Sequence, residues 1–231
     1  VAKGIKLFSK LDENKDFLKQ EPKFATIPLI VVPTTGGSGS EATRYAVIYK
    51  DGEKLSLVHD SIFPDVAILD GSFLQELPEY YRHATILDAF CQAIEGYWAL
   101  NANEESRAFA KRSLTLFLSS YRPYLHGHPF IDGRVMKCAY YAGQAINISA
   151  TTAPHALSYK LTTMKNIAHG HAVSVTLPAV LEYMVKNIGE NESLRQTLTS
   201  LADIFEVSLS GLASRIKEII SRFELETPKI T

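Results

Sequence analysis

Cysteine is scarce in this sequence: Cys91 and Cys138 are the only two among 231 residues, and both fall inside apolar helical stretches. A disulfide-stapled secreted scaffold needs more, so this is the pattern of reduced thiols, and a cytoplasmic setting is expected. No apolar run reaches the roughly eighteen residues of a membrane-spanning helix, and no charged-then-apolar leader opens the chain. Neither sign of charge is in excess, since 24 lysines and arginines meet 25 aspartates and glutamates for a formal charge of −1. Without a basic stripe, nucleic acid and anionic membrane are excluded as expected partners. Internal repeats and low-complexity tracts are also missing. What is present is an apolar content of 46%, enough for a sizeable core. The first residue is Val1, and VAKGIKLFSK reads as a helix already under way, so the natural start is expected upstream.

After that helix, SKLDENKDFLKQEPK reads as a polar loop. IPLIVVP, residues 27 to 33, and DVAILD, residues 65 to 70, are short β-branched runs of the kind buried on both faces of a parallel sheet. Between them RYAVIYKDGEKLSLV, with its DG turn, predicts an antiparallel hairpin. From Pro78 onward all periodic segments are helical: 78 to 99, 103 to 121, 132 to 149, 153 to 161, 171 to 186, 193 to 204 and 208 to 223. The expected fold class is an α/β unit over 1–72, truncated at its N-terminus, followed by an all-α unit over 73–231 that continues past the last residue.

Two features carry chemistry. PTTGGSGSE, residues 33 to 41, follows a strand directly, the position at which α/β proteins bind ligands. Gly36 and Gly37 let backbone N–H groups approach a phosphate, and the hydroxyls of Thr34, Thr35, Ser38 and Ser40 add donors, although Gly and Ser also build ordinary loops. Neither a Walker loop nor a GxGxxG spacing is present. The other feature is LDAFCQAIEGYW, where Thr85, Asp88, Gln92 and Glu95 recur at helical spacing along an otherwise apolar helix. A buried aspartate costs several kcal/mol, on the order of a lost ion pair, unless a cation or partner meets it. Two of His155, His169 and His171 with Asp88 suit a divalent Fe, Zn, Co or Ni ion. The plainer alternative pairs Asp88 with Arg82 and leaves the histidines as ordinary hydrogen-bonded residues.

PTTGGSGSEAT, LDAFCQAIEGYWALNANEESR, PHALSYKL and HGHAVSVTLPAVLEY, in this order, resemble the iron-containing (group III) alcohol dehydrogenases over essentially the whole chain. The resemblance implies a dinucleotide-binding α/β domain, a helical domain and one divalent metal, iron or alternatively zinc, in the cleft between them. It implies Asp88, His155 and His169 as metal ligands, with Gln92 where the family has a fourth ligand, a histidine. An amide oxygen is a weaker ligand than imidazole, so Gln92 either ligates feebly, acts through water or holds substrate. Tyr159 replaces a histidine linked in the family to cofactor and proton traffic. Thr34, Thr35, Gly36, Gly37, Ser38, Thr43 and Lys54 are implied contacts of NAD or NADP. For Lys54 and Thr43 the alternatives are a solvated hairpin residue and a plain strand residue. The family's pyrophosphate-binding turn belongs just before VAKGIK.

The implied activity is NAD(P)-dependent interconversion of a small aldehyde and a primary alcohol, with His171, ahead of Tyr159, as proton source because imidazole titrates near neutrality. Glu95 and Thr85 are candidates to support the ligands. DAFCQ, EESR and KLSLVH are most similar to the branch reducing phosphonoacetaldehyde to 2-hydroxyethylphosphonate, with His59, Arg44, His171 and Gln92 as candidate anion donors. A simple-alcohol or lactaldehyde-type dehydrogenase accounts for most of the same residues. The glycerol-1-phosphate dehydrogenase and dehydroquinate synthase folds fit PTTGGSGSE less well. A catalytically inactive nucleotide- or metal-binding protein is the alternative from another class. A homodimer is a candidate assembly.

Overall fold

The computed structural model describes residues 2–9, 11, 12, 14, 15, 20, 27–50 and 53–226. In chain order the elements are α1 (Ala2–Phe8), β1 (Ile30–Val31), β2 (Tyr45–Lys50), β3 (Glu53–Val58), β4 (Val66–Ala67), α2 (Glu79–Trp98), α3 (Glu104–Leu125), α4 (Asp132–Ser149), α5 (Ala153–Lys165), α6 (His169–Lys186), α7 (Glu192–Ile204) and α8 (Leu212–Ser221). Single 3-10 turns join several of them.

A helix that is apolar nearly all round has to be wrapped by others. In α2 every residue from Ile86 to Trp98 is buried, and α3, α4, α6 and α7 pack against it. Phe90 stacks on Phe117 with ring centroids 4.1 Å apart, and Tyr121 and Phe223 extend the aromatic row. α3 starts with a reciprocal cap: the Ser106 N–H donates to Asn103 Oδ1 and the Asn103 N–H to Ser106 Oγ, each at 2.9 Å.

In the α/β part, β1 pairs parallel with β4, Ile30 opposite Val66, and β2 pairs antiparallel with β3 from Tyr45–Val58 to Lys50–Glu53. The hairpin therefore forms where its pattern places it; the DG turn itself, residues 51 and 52, lies outside the described residues, as does most of the polar segment after α1. One expectation is corrected. The two apolar runs do not form strands buried on both faces, for each is a two-residue pairing and Ile30 and Val66 are 61% and 48% exposed. A parallel strand is covered on both faces only when neighbouring strands and helices supply the cover, and among the described residues the β1–β4 sheet has two strands.

α1 is fastened through its lysines. Lys6 Nζ pairs with Asp65 at 2.8 Å, while buried Lys3 donates to Thr43 O, Thr43 Oγ1 and the Tyr45 carbonyl. Burial pushes the Lys3 ammonium down to about 8, and the charge of Glu41 opposes that shift. Helix boundaries also differ from the periodicity: α5 continues to Lys165, and α6 begins at His169, two residues earlier than the apolar pattern predicts.

Candidate metal centre

Asp88 sits in the middle of α2, His155 in the first turn of α5 and His169 at the first position of α6. The three bring one ligand atom each to within 4.8 Å of the others. His155 Nε2 lies 3.4 Å from Asp88 Oδ1. Two ligands each about 2.05 Å from a tetrahedral ion are separated by about 3.3 Å, so the spacing fits a shared ion.

Why α6 can deliver His169 is visible one residue on. A Cβ at Gly170 would collide with the Ala84 carbonyl and stand 2.7 Å from Asp88 Cβ, so only glycine lets α6 abut α2 at this point. His155 is set by a second device. Its Nδ1 hydrogen-bonds Glu95 Oε1, and the other Glu95 oxygen accepts the Thr152 N–H at 2.6 Å and the Thr152 hydroxyl at 2.7 Å. Trp98 Nε1 in turn donates to Thr152 Oγ1 at 3.0 Å. The chain turns toward Glu95 through Ala150 at φ 63°, a strained conformation for a residue with a Cβ. A carboxylate behind a histidine fixes its tautomer and raises its basicity as a ligand.

Electrostatics follow from this arrangement. Burial alone would raise the Asp88 carboxyl, but the neighbouring His155 and His169 imidazoles and the Gln92 amide outweigh it, and Asp88 lies below its ordinary value. Burial opposes a proton on His155, yet Asp88 and Glu95 together lift it to about 9. Asp88 Oδ1, His155 Nε2 and Gln92 Oε1 are buried with no hydrogen-bond partner. Unpaired buried groups of this kind cost ~1–3 kcal/mol each, and a divalent cation between Asp88 and His155 would satisfy those two. The donor set of one carboxylate and two imidazoles suits such an ion.

The remaining expected residues take these places. Gln92 stands one helical turn after Asp88 and donates from Nε2 to the Ser38 carbonyl at 3.3 Å, tying the metal-side helix to the glycine turn. That turn packs directly on the helices: a Cβ at Gly37 would lie 2.8 Å from Thr85 Cβ, and Gly39, at φ 58°, meets Gly143. These glycines are thus required by helix contact as well as by any ligand. Thr34 and Ser38 are exposed, Thr35 is half-buried and Gly36 is buried. The buried Thr43 hydroxyl accepts from Lys3 and donates to Ser40 O. Lys54 lies in β3, and its side chain is outside the described part. Thr85 returns its hydroxyl to Tyr81 O in its own helix rather than to the ligands. Arg82 donates to Tyr124 O and lies over the Tyr124 ring, which removes the simple Asp88–Arg82 pair as an alternative.

Tyr159 is 38% exposed and stacks on His169 at a centroid distance of 6.0 Å. His171 is buried, which lowers its pKa, and the Glu226 backbone opposes the shift in part. Its Nδ1 lies 3.2 Å from the Tyr80 hydroxyl, which also accepts the Ala168 N–H at 2.8 Å. Tyr80 was not legible as a site residue, because a tyrosine in a first helical turn has no distinguishing spacing. Among the anion-donor candidates, Arg44 pairs with Asp60 at 2.9 Å, and His59 Nδ1 meets Ser61 Oγ at 2.6 Å.

An α/β unit beside a helical unit, with a carboxylate and two imidazoles converging where the glycine turn meets the helices, defines a class of two-part protein with a candidate divalent-metal site. The chain belongs to the iron-containing alcohol dehydrogenase family: the family model "Iron-containing alcohol dehydrogenase" matches residues 1–71 and that of the family's C-terminal domain residues 83–225. It is 34% identical to phosphonoacetaldehyde reductase of Streptomyces viridochromogenes over 161 residues, covering 68% of this chain and 41% of that protein. It is 33% identical to long-chain-alcohol dehydrogenase 1 of Geobacillus thermodenitrificans, covering 84% of this chain and 47% of that one. The chain thus spans less than half the length of these relatives. Among solved structures, the iron-containing alcohol dehydrogenase of Thermococcus thioreducens superposes with a TM-score of 0.86 at 26% identity, covering 97% of this chain and 61% of that one.

Proposed function

We propose that the protein interconverts a small aldehyde and its primary alcohol with NAD or NADP, and that Asp88, His155 and His169 hold the divalent ion this requires. The observation that carries the reading is the cluster itself, buried at Asp88 and His155 and half-buried at His169, on a helix that Gln92 joins to Ser38 of the glycine turn. When bound, the ion supplies Lewis acidity at the carbonyl oxygen and the nicotinamide supplies the hydride. The chain's own part is to hold and shield. Glu95 keeps the His155 Nδ1 proton and so leaves Nε2 as the ligating atom. Thr34, Thr35, Gly36, Gly37, Ser38, Thr43 and Lys54 form the dinucleotide side in this reading, with Thr43 acting through the turn it braces because its hydroxyl is engaged by Lys3. His171, hydrogen-bonded to Tyr80, delivers the proton to the developing alkoxide, with Tyr159 at the rim as the alternate donor.

For the substrate, we favour an aldehyde carrying an anionic group, of which phosphonoacetaldehyde is the model compound. Two things support it: the 34% identity to a phosphonoacetaldehyde reductase, and a neutral amide at Gln92, one turn after Asp88, whose buried Oε1 has no hydrogen-bond partner. A cytoplasmic setting completes the reading, consistent with two buried, unpaired cysteines. The test is aldehyde-dependent oxidation of NADH and NADPH by the metal-replete protein, with acetaldehyde, lactaldehyde and phosphonoacetaldehyde compared by kcat/KM. Turnover of the phosphonate at least ten-fold above the others supports both parts, and equal turnover removes the anionic preference. No turnover with metal bound overturns the activity and leaves the inactive binding protein.

A further inference from the structure

The hydrogen bonds behind His155 run in one direction, and the residue that starts them is the chain's single tryptophan. An indole N–H can only donate. Trp98 Nε1 gives its hydrogen to Thr152 Oγ1 at 3.0 Å, so the hydroxyl is the acceptor there and its own hydrogen is directed elsewhere. That hydrogen goes to Glu95 Oε2 at 2.7 Å, and the Thr152 backbone N–H reaches the same oxygen at 2.6 Å. With Oε2 receiving two donors, Oε1 is left to accept from His155 Nδ1. A neutral imidazole that donates from Nδ1 presents a lone pair at Nε2, the atom that lies 3.4 Å from Asp88 Oδ1.

Thr152 makes these bonds in place of more ordinary ones. α5 begins at Ala153, which makes Thr152 its N-cap, where a threonine hydroxyl commonly accepts from the N–H of the second or third helical residue. It makes no such bond here, and Pro154, the second residue, has no N–H. Two residues before it, Ala150 takes φ 63° and ψ 176°, a region that residues with a Cβ avoid and that persists only where the surroundings enforce it. The helix that receives this turn is rigid at the point of contact: Glu95 is fully buried in α2, and Trp98, three residues on and on the same face, is nearly so. A hydroxyl diverted from its own helix and a strained backbone both serve one buried carboxylate.

We propose that Thr152 and Trp98 are positioning residues of the metal centre, which fix the direction of each hydrogen in the row and so keep the Nε2 lone pair of His155 aimed at the ion. This rests on the reading of Asp88, His155 and His169 as ligands. The row from both side chains reaches His155 through Glu95. Remove the indole N–H, and the Thr152 hydroxyl is no longer held with its hydrogen toward Glu95. Remove the hydroxyl, and Glu95 Oε2 keeps the backbone donor alone while the Trp98 N–H loses its acceptor. Either change frees the carboxylate that orients the imidazole, and groups behind a ligand in this way alter metal affinity by about 10- to 100-fold.

Because Trp98 is the only tryptophan, its indole N–H gives a single proton–nitrogen NMR cross-peak, and zinc titration of the metal-free protein reads the row from end to end. Zinc should move that peak, with saturation at one Zn²⁺ per chain. Thr152→Val keeps the β-branched shape and removes the hydroxyl. In that variant the peak should persist without responding, and zinc affinity by calorimetry should fall about ten-fold or more, while Thr152→Ser should restore both to within about two-fold. Trp98→Phe should weaken zinc in the same direction, and the double variant should be no weaker than Thr152→Val alone, since both side chains act on one carboxylate. Circular dichroism checks that each variant keeps its helices. Unchanged affinity in Thr152→Val, failure of serine to restore it, or additive losses in the double variant would each overturn the proposal and leave the ligand assignment standing. An unaltered chain that binds no zinc would overturn both.

Discussion

Replacing Glu95 with glutamine removes one of the two carboxylates that hold a proton on His155, and its consequences can be worked out in sign and size. Before metal binds, Asp88 and Glu95 lift His155 to about 9 from an ordinary 6.5. A group raised in the folded state stabilises it fully below the unfolded value and loses that contribution as pH climbs through the folded one. The metal-free protein should therefore lose stability between about pH 6.5 and 9, by up to about 3 kcal/mol at ~1.36 kcal/mol per pKa unit for this fully buried group. Metal binding runs the other way, because the ion must displace that proton from Nε2. Apparent affinity should rise about ten-fold per pH unit up to about 9, and near pH 7.5 roughly one proton should be released per ion. In Glu95→Gln the amide keeps the shape but not the charge: His155 falls toward its ordinary pKa, proton release at pH 7.5 shrinks, and affinity drops by about 10- to 100-fold. Titration calorimetry in buffers of differing ionisation enthalpy counts the protons directly. If binding releases the same number of protons in both proteins, Glu95 does not act through His155, and the reasoning fails.

Two further perturbations probe neighbouring parts of the site. Gln92→His places an imidazole one turn after Asp88: if Gln92 is only a weak ligand, metal should bind about ten-fold or more tightly and turnover of simple aldehydes should rise. If its amide serves an anionic substrate, kcat/KM for phosphonoacetaldehyde should fall while acetaldehyde changes little, and no change in metal content or either activity would mean that Gln92 faces neither. Gly170→Ala should push α6 off α2 at the Ala84 carbonyl, costing ~1–3 kcal/mol of stability and most of the metal affinity; an unaltered melting temperature and metal content would contradict the packing described for it.

The helical half was legible because its signals are strong and local. α2 announces itself by an apolar pattern over twenty residues, and Asp88 stands out within it because an ionised side chain in such a helix needs a reason. The glycine turn was legible as a turn, but the contacts that require its glycines are long-range: Gly37 against Thr85 and Gly39 against Gly143 join segments that sequence spacing does not relate. For the same reason the pairing of Glu95 with both Thr152 and His155, some sixty residues on, and the Tyr80–His171 contact emerge only in the fold. Strands β1 and β4 were over-read, since a run of valine and isoleucine reports a preference for burial and not whether neighbouring chain supplies it.

The central claim, that Asp88, His155 and His169 hold one divalent ion, is tested most directly by cobalt titration of the metal-free protein. Visible absorption should saturate at one Co²⁺ per chain with the intensity of a four- or five-coordinate nitrogen–oxygen site, and should be lost in Asp88→Ala, His155→Ala and His169→Ala alike while each variant remains folded. Saturation that survives any one of the three substitutions, or no stoichiometric binding at all, would contradict it.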